Sequence, residues 1–386
     1  MLQNNDIVIT GLQSWDIKIG STCKNIALSL AKNNRVLYVN PPITRLDKLK
    51  GHSYKDQPEK LKKISDNLYV FYPGKILESI GRLPVNFLFD IINRHNNKLF
   101  AGEIQEAIDK LGISNFIHLC DGDLYHSLYL KDYLSPRLYA YLFRDNILAV
   151  KYWQVQGPRI QPKHMAKADV VLTNSYYHTR IASKHNPNSY FVGQGCDLSM
   201  FNPEKIDSIP ADLKNIPQPV IGYVGVLTSL RLDIETIRYM AESRPEWNIV
   251  LVGPEDKDFA NSTLHQISNV HFLGARKPEE LASYIKGFDV CMNPQVVNEM
   301  TIGNYPLKID EYLAMGKPVL ATHTEAMDYF ADYTYLATGK EEYVSMAEKA
   351  LQEDSEELAR KRKEFAQSHS WDNMVSTISN VIEKHI

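Results

Sequence analysis

The sequence has few cysteines and no long apolar run, and these absences exclude several classes of protein. Its 386 residues include four cysteines, far apart and without a CxxC pair, so neither a disulfide framework nor a zinc ribbon is expected. No window approaches eighteen uninterrupted apolar residues, and the first residues form neither a basic segment nor an apolar leader. We therefore expect reduced structural thiols in a cytoplasmic protein.

Motifs for metal and dinucleotide binding are also missing. There is no HExxH and no Cys/His cluster, and the glycines after the first predicted strand do not form GxGxxG. A net charge of -3 and the lack of a recognisable module argue against nucleic acid. We expect no metal, no tightly bound cofactor and no nucleic-acid partner; the sequence Asp121-Gly122-Asp123 is the one exception that imitates a metal motif.

The net charge conceals an asymmetry between the two halves. Residues 1–200 hold 25 Lys and Arg against 17 Asp and Glu, whereas residues 201–386 hold 18 against 29. Much of the basic excess lies in residues 45–63, followed by an apolar and aromatic stretch at 71–100 that includes Phe87 and Ile91. A basic segment beside an amphipathic helix suits an anionic membrane surface, and the alternative is a solvated face beside ordinary core residues.

Length and periodicity predict two α/β domains. A chain of this length with 44% hydrophobic residues exceeds what one core usually supports. Apolar runs at 6–10 and 36–39 flank a predicted helix at 21–32, which is the opening unit of a doubly wound sheet. Further strands are predicted at 115–119, 138–143 and 170–173, with a helix at 102–111. A fresh series of strands begins at 219–225.

The most informative segment is 304–322, NYPLKIDEYLAMGKPVLAT. Its pattern predicts a short helix with Pro306 in the first turn and Asn304 as the cap, followed by Gly316 in a left-handed position and a buried strand. Lys308 and Glu311 lie three residues apart and therefore on one side of the helix. A lysine at a helix start suits phosphate, and a glutamate one turn later suits ribose hydroxyls, although an ordinary surface pair is the alternative.

This segment resembles the nucleotide-binding helix of retaining glycosyltransferases of the GT-B fold, the "glycosyl transferases group 1" set. The shared pattern is Pro-Leu-Lys-x-x-Glu-Tyr-x-Ala-x-Gly-x-Pro-Val, and the resemblance implies that Glu311 holds the ribose while Lys308 approaches the diphosphate. Many members carry an earlier glutamate where this chain has Gly303. Either Glu299 replaces it, or Gly303 and Asn304 meet the donor through backbone and amide groups.

The resemblance extends to two further loops of the second half. The loop that begins at Gly225 resembles the one that holds the diphosphate; its usual arginine is Val226 here, and Arg231 occupies the position of the usual lysine. Residues 274–276 resemble the loop beside the nucleobase, so Arg276 and its neighbours are expected to contact the base through backbone groups. Pairing of Arg231 with an acidic neighbour is the alternative.

The implied fold is α/β of the GT-B type, with two Rossmann-like doubly wound domains and a cleft between them. The boundary sequence at 192–203 implies an acceptor-side domain at 1–200, a nucleotide-sugar domain at 201–370, and a final helix at 371–386 that packs back toward the first domain. In the first domain the candidate residues are Gly20, Asp121, His118, Arg144 and Asp145. With Glu299, the last three are the expected catalytic residues.

The implied function is transfer of a sugar from a UDP- or GDP-sugar to a glycan or lipid-linked acceptor in cell-surface polysaccharide synthesis, with retention of configuration. The enzyme would work in the cytoplasm, in contact with the inner face of the membrane. Two alternatives remain: a nucleotide-sugar epimerase of the same fold, and a non-catalytic sugar-binding or scaffold protein. Gly303 and Val226, at two usual functional positions, keep the second alternative open.

Overall fold

The computed structural model describes residues 2–17, 21–54, 57 and 59–386, which fall into two compact units. The first unit consists of Met1–Gly193 together with Trp371–Ile386, and the second of Gln194–Ser370. The sequence placed the change of domain at residue 200, in the segment between the last strand of the first sheet and the first strand of the second.

The first unit is built on an eight-stranded sheet and a small two-stranded one. Its strands are β1 (Asp6–Gly11), β2 (Arg35–Val39), β3 (Ile43–Thr44), β4 (Leu61–Ser65), β5 (Leu68–Phe71), β6 (Ile76–Leu77), β7 (Ile117–Asp121), β8 (Leu138–Phe143), β9 (Val170–Thr173) and β10 (Ser189–Phe191). The large sheet has the order β10-β9-β8-β7-β1-β2-β5-β4, and β3 pairs with β6. All pairs are parallel except β4 with β5. The central strands are buried along their whole length because helices cover both faces.

The helices of this unit are α1 (Thr22–Leu30), α2 (Arg45–Leu49), α3 (Asn86–Lys110), α4 (Leu130–Leu134), α5 (Gly157–Lys167) and α6 (Tyr176–Ser183). Helix α1 begins where Ser21 caps it, accepting a hydrogen bond from the backbone N–H of Lys24. The predicted helix at 102–111 is too short, because α3 begins at Asn86.

The second unit has one six-stranded, wholly parallel sheet. Its strands are β11 (Val220–Val224), β12 (Asn248–Val252), β13 (Val270–Phe272), β14 (Val290–Asn293), β15 (Val319–Thr322) and β16 (Tyr335–Ala337), in the order β13-β12-β11-β14-β15-β16. The helices are α7 (Ala211–Lys214), α8 (Ile234–Ser243), α9 (Lys257–Ala260), α10 (Pro278–Lys286), α11 (Leu307–Ala314), α12 (Lys340–Glu353) and α13 (Glu356–Gln367). The predicted α/β class with parallel sheets is confirmed. In such sheets, ligand sites lie at the carboxyl ends of the strands.

The last helix, α14 (Trp371–Glu383), belongs to the first unit and packs on α1. Ile378 and Ile382 join the core cluster that contains Leu30. At the helix start, the Asp372 carboxylate accepts hydrogen bonds from Ser29 Oγ at 2.5 Å and from Lys32 Nζ at 2.6 Å. Because Ile378 is fully buried, truncating it would cost about 2–5 kcal/mol of the free energy of unfolding.

Candidate functional site

Helix α11 carries Lys308 and Glu311 and is attached to the carboxyl end of β11. The fully buried Tyr312 hydroxyl accepts a hydrogen bond from the backbone N–H of Val224 at 2.9 Å. At the other end of the helix, Gly316 takes the predicted left-handed conformation, with φ of +74°. The helix therefore leads directly into β15, and its first turns lie beside the last residues of β11.

A buried polar cluster fixes α11 from its other side. The Asp310 carboxylate, which has no solvent exposure, accepts hydrogen bonds from His369 Nδ1 at 2.6 Å and from the Tyr305 hydroxyl at 2.9 Å. His369 Nε2 bonds the Tyr329 hydroxyl at 2.9 Å. Burial raises the pKa of Asp310, and the bonds from His369 and Tyr305 act in the opposite direction. Loss of one partner would leave a buried polar group unpaired, which is costly. The intact cluster therefore fixes the orientation of the helix.

The start of α11 differs from the prediction. Pro306 is the capping residue, not a first-turn residue, and its backbone is extended. Asn304 does not cap the helix; its backbone N–H donates to the Thr301 carbonyl at 3.1 Å. Since no side chain caps α11, its first N–H groups keep their capacity for an anionic ligand.

Lys308 lies against the end of β11. Its Nζ donates a hydrogen bond to the Tyr223 hydroxyl and lies 3.8 Å from the centroid of that ring. A Cβ atom at Gly225 would come within 2.8 Å of Nζ, and Gly225 has a φ of +140°, so this position requires glycine. Burial lowers the pKa of Lys308 to about 7, an effect that Glu311 opposes and the Arg231 charge reinforces. A lysine in this state gains its full charge when an anion binds.

Glu311 is half-buried one turn further along the same helix. Within the described part of the chain, its carboxylate forms no hydrogen bond and no ion pair. Burial raises its pKa to about 7; Lys308 counteracts this rise and the neighbouring Asp310 adds to it. The proposed surface pair with Lys308 is therefore not formed at contact distance, and both groups remain available to a ligand.

Arg231 lies in the loop that follows β11, and its side chain is exposed. The two acidic neighbours that could have paired with it have other partners: Asp233 caps α8, and Glu235 pairs with Arg238. Its backbone carbonyl accepts a hydrogen bond from Val296 N–H at 2.9 Å, which joins this loop to the one after β14. The loop is thus held in place while the guanidinium faces solvent near Lys308.

The loop between β14 and α11 contains the other predicted donor residues. Glu299 is exposed, Gly303 is buried and Asn304 is half-buried. Asn298 organises this loop, because its side-chain oxygen accepts hydrogen bonds from the N–H groups of Met300 at 2.8 Å and Thr301 at 3.1 Å. The side chains of Glu299 and Asn304 remain candidates for the donor sugar, and the sequence indicates no choice between them.

The Arg276 side chain forms its hydrogen bonds within its own unit. Its guanidinium donates to Asp212 Oδ2 at 2.6 Å and to the Tyr284 hydroxyl at 2.5 Å. It therefore has a structural role, and the base contact that the sequence suggested would fall to the backbone of this loop. Gly274, two residues earlier, has a φ of +71°.

In the first unit, Arg144 and Asp145 follow the carboxyl end of β8. Arg144 donates to both oxygens of the buried Asp121, at 2.8 and 3.2 Å, and to Asp145 Oδ2 at 2.7 Å. A Cβ atom at Gly11 would lie 3.3 Å from Cβ of Asp121, so the ends of β1, β7 and β8 meet here. The structure brings Arg144, Asp145 and Asp121 together at one edge of the sheet.

The predictions for His118 and Gly20 have different outcomes. His118 is fully buried within β7, where its Nε2 bonds Thr10 Oγ1 at 2.9 Å, and burial lowers its pKa to about 3. A neutral side chain with no exposed atom does not suit contact with a substrate. We therefore correct the predicted catalytic role of His118 to a structural role. Gly20 lies outside the described residues.

Sequence reasoning missed Tyr223, Asp310 and His369. Tyr223 sits in the run VIGYVG, where its hydroxyl gives no sign of a lysine partner 85 positions later. The Asp310–His369 bond joins positions 59 apart, and no local pattern reveals it. Across the described residues, no group of three or more His, Cys, Asp or Glu side chains is arranged to hold a metal ion.

Comparison with known families indicates the class of protein that contains this arrangement of Lys308, Glu311 and Arg231. Residues 218–361 match the family model described as "Glycosyl transferases group 1". This segment of the chain is therefore similar to group 1 glycosyltransferases. The predicted resemblance is confirmed, and the predicted enzyme class, a glycosyltransferase, is supported. The matched segment, which aligns with the glycosyltransferase domain of the family model, runs from before β11 into α13 and so contains the three residues.

A curated relative extends the similarity beyond the glycosyltransferase domain. The chain is 25% identical over 232 residues to a Bacillus subtilis protein described as "Putative teichuronic acid biosynthesis glycosyltransferase TuaH". The matched region covers 57% of this chain and 58% of that relative, so a little over half of each protein is compared.

Solved structures resemble the whole chain in fold. The chain is similar to an alpha,alpha-trehalose-phosphate synthase (UDP-forming) from Burkholderia vietnamiensis, with a TM-score of 0.72, 9% identity, and coverage of 100% of this chain and 98% of that one. It is also similar to Anabaena Alr3699/HepE in complex with UDP, with a TM-score of 0.64, 14% identity, and coverage of 98% and 100%. The predicted GT-B fold is confirmed.

No helix among the described residues is both long enough and apolar enough to cross a membrane.

Proposed function

We propose that the protein transfers a sugar from a nucleoside diphosphate sugar to a glycan acceptor in the synthesis of a cell-surface polysaccharide. The observation that carries the proposal is the arrangement at the end of β11, where Lys308, Glu311 and Arg231 lack the partners that would neutralise a purely structural cluster. Support comes from the glycosyltransferase domain, from the UDP held by the Anabaena protein, and from the teichuronic acid role in the name of the Bacillus relative.

The three residues suit three parts of a nucleotide donor. Glu311 accepts hydrogen bonds from the ribose hydroxyls, while Lys308 and Arg231 approach the diphosphate. When the bond between the sugar and the diphosphate breaks, the diphosphate leaves with the bonding electrons and its charge increases. Fixed positive charge in a site of low dielectric constant stabilises that leaving group more than it stabilises the bound substrate, and this difference lowers the barrier.

In this proposal the first unit binds the acceptor. Arg144, Asp145 and Asp121 lie at the carboxyl edge of its sheet, where polar groups bind substrates in doubly wound folds. Arg144 keeps its charge because it is always protonated, and Asp121 fixes its orientation. Retention of configuration follows from the family analogy. The epimerase alternative has no specific observation in its favour.

The donor site is tested by calorimetric titration with UDP, GDP, ADP and their sugars. We expect one diphosphate to bind, and Glu311→Ala to weaken its binding about 10- to 100-fold, since hydrogen bonds to a charged acceptor contribute about 1.5–3 kcal/mol each. Glu279→Ala, which removes an exposed carboxylate from α10 of the same unit, is the matched control and should bind normally. Failure of every nucleotide to bind would reject the transferase and favour the non-catalytic scaffold.

We also propose that the first unit rests on an anionic membrane surface, consistent with a cytoplasmic enzyme that builds a cell-surface glycan. Exposed apolar side chains cluster on α2 and at the start of α3, with exposed fractions of 78% for Leu49 and 75% for Phe87. Leu46 N–H donates to Ser79 Oγ at 2.9 Å, and Asn96 of α3 accepts from the adjacent Glu78 N–H at 3.0 Å, so both helices contact the segment 78–79. Lysines on and after α2 supply the complementary charge.

This membrane contact is tested by co-sedimentation with vesicles that contain phosphatidylglycerol. The double variant Leu49→Ser, Phe87→Ser should bind at least about tenfold more weakly, because each large side chain contributes roughly 1.5–3 kcal/mol when it leaves water. Leu28→Ser changes an apolar side chain on α1 that is 43% exposed and should have no effect. Equal binding of the wild-type protein and the double variant would show that this edge does not contact the membrane.

A further inference from the structure

The first unit contains a pocket of about 420 Å³. Its lining comes from the segment between β2 and β6, and every residue that lines it belongs to the first unit. The volume lies within the range of pockets that hold small ligands and is sufficient for a sugar ring. The residues that line it include Ile43, Lys48, His52, Tyr54, Lys60 and Tyr72.

Two tyrosines give the pocket a rigid aromatic wall. The rings of Tyr54 and Tyr72 meet edge to face with centroids 5.4 Å apart. Both hydroxyls are already engaged: Tyr54 donates to the Pro41 carbonyl at 3.0 Å, and Tyr72 donates to Asp16 Oδ1 at 3.3 Å. Because Tyr72 is only 1% exposed, the carbon surface open to the apolar C–H face of a sugar ring comes from the half-buried Tyr54.

Three cationic or titratable side chains surround the same space. Lys48 and His52 are exposed and form no hydrogen bond through their side chains in the described part of the chain. Lys60 Nζ lies 3.8 Å from Glu103 Oε1, a long ion pair, and Lys60 remains 63% exposed. A Cβ atom at Gly74 would lie 2.9 Å from Lys60 Nζ, so glycine leaves room for the ammonium group at the pocket wall.

Three carboxylates lie near these lysines, and each of them also accepts hydrogen bonds from other groups. Glu103 is buried and accepts hydrogen bonds from the backbone N–H groups of Gly74 at 2.8 Å and Lys75 at 3.0 Å. Asp47 accepts hydrogen bonds from Thr44 at the start of α2. Asp16 accepts the bond from Tyr72. The pocket therefore combines two exposed lysines with an aromatic wall.

We propose that this pocket binds an anionic sugar residue of the glycan acceptor, one that bears a carboxylate or a phosphate. Lys48 and Lys60 would hold the anion through charge-assisted hydrogen bonds, which are about twice as strong as neutral ones, and Tyr54 would contact the ring. The assignment to the acceptor rests on the proposed transferase function. The pocket would give the enzyme a preference for acidic glycans.

The proposal is tested on the full-length protein by saturation-transfer NMR and calorimetry with glucuronate, glucose 6-phosphate, glucose and inorganic phosphate. One or both anionic sugars should bind at least about tenfold more tightly than glucose and than phosphate. The one that binds more tightly identifies the anion. Equal binding of glucose and both anionic sugars would overturn the proposal, and so would inorganic phosphate binding as tightly as glucose 6-phosphate.

Variants separate this site from the donor site. Lys48→Gln with Lys60→Gln should abolish the preference for anionic sugars, while Lys98→Gln, an exposed lysine on α3, should keep it. If the double variant does not fold, Lys48→Gln alone should still reduce the preference, because Lys48 is exposed on α2. UDP or GDP binding should be unchanged in each variant. If the variants lose the sugar preference only when they also lose nucleotide binding, the pocket is not a separate site. If the wild-type protein binds a nucleotide but shows no preference for anionic sugars, the pocket proposal is rejected and the donor site is retained.

Discussion

Replacing Lys308 with alanine is expected to lower kcat/KM for the donor sugar by about 10²- to 10³-fold, the loss typical for removal of one group that stabilises developing charge. The effect should be large because Lys308 is held by Tyr223 and Gly225 in a partly buried position, where its charge is little screened by water. The measurement is steady-state release of the nucleoside diphosphate. Lys214→Ala, an exposed lysine of the same unit, should retain normal activity.

A proton-linkage experiment separates the charge of Lys308 from its bulk. Its pKa of about 7 means that the side chain is largely neutral at pH 8.5, and a bound diphosphate raises the pKa and restores the charge. Binding at pH 8.5 should therefore take up a proton, and affinity should fall as the pH rises above about 7. Calorimetry in buffers of different ionisation enthalpy measures this uptake. Lys308→Arg, which is always charged, should bind without it; proton uptake that persists in Lys308→Arg would assign the effect to another group.

The second unit was predictable because its strands are buried on both faces. Segments such as Val290–Asn293 and Val319–Thr322 read as continuous apolar runs between turn residues, and the structure has strands with those bounds. The start of α11 was not predictable in detail, because proline is accepted both at a cap and in a first turn. Here Asn304 was assigned the cap, and the turn at Thr301 uses its N–H instead.

Two elements of the first unit were missed or predicted too short, because polar residues interrupt their sequence patterns. Strand β4 lies at the edge of the sheet and exposes Lys62 and Lys63, so its sequence reads only as a basic run. Charged edge strands of this kind prevent pairing with other chains. In α3 the buried Asn96 and Asn97 bond backbone groups of other segments, for example Asn97 Nδ2 with the Tyr125 carbonyl at 2.8 Å. Buried amides interrupt the apolar periodicity from which a helix is predicted.

The candidate site shows the same division between local and distant information. Lys308 and Glu311 lie in one motif, and their role was read from it. The bonds that fix their helix come from Asp310 to His369 and from Tyr312 to the β11 backbone, across 59 and 88 positions. Long-range contacts of this type leave no mark on sequence spacing. The groups proposed to bind the donor were therefore predictable, and the groups that orient them were not.

Acidification from pH 7.5 to 5 is expected to destabilise the first unit by about 6 kcal/mol, close to the whole stability of many domains. Three buried histidines cause this loss: burial lowers the pKa of His118 to about 3, and of His164 and His178 to about 4. Each stays neutral in the folded chain while the unfolded chain, with a histidine pKa of 6.5, takes up protons below that value. The unfolded state then binds more protons, so stability falls with pH between about 6.5 and 4, by about 2 kcal/mol for each histidine at pH 5.

Tryptophan fluorescence can follow the first unit alone. Trp15, Trp153 and Trp371 lie in that unit and Trp247 in the second, so Trp247→Phe leaves reporters only where the histidines are. Urea titrations of this variant at several pH values measure the free energy of unfolding. His178→Gln should reduce the pH dependence by about a third because it removes one of three comparable contributions. The exposed His52→Gln should not change it. His126, whose pKa Asp123 raises despite burial, opposes part of the loss. A free energy of unfolding that stays constant down to pH 5 would mean that the buried histidines accept protons in the folded chain.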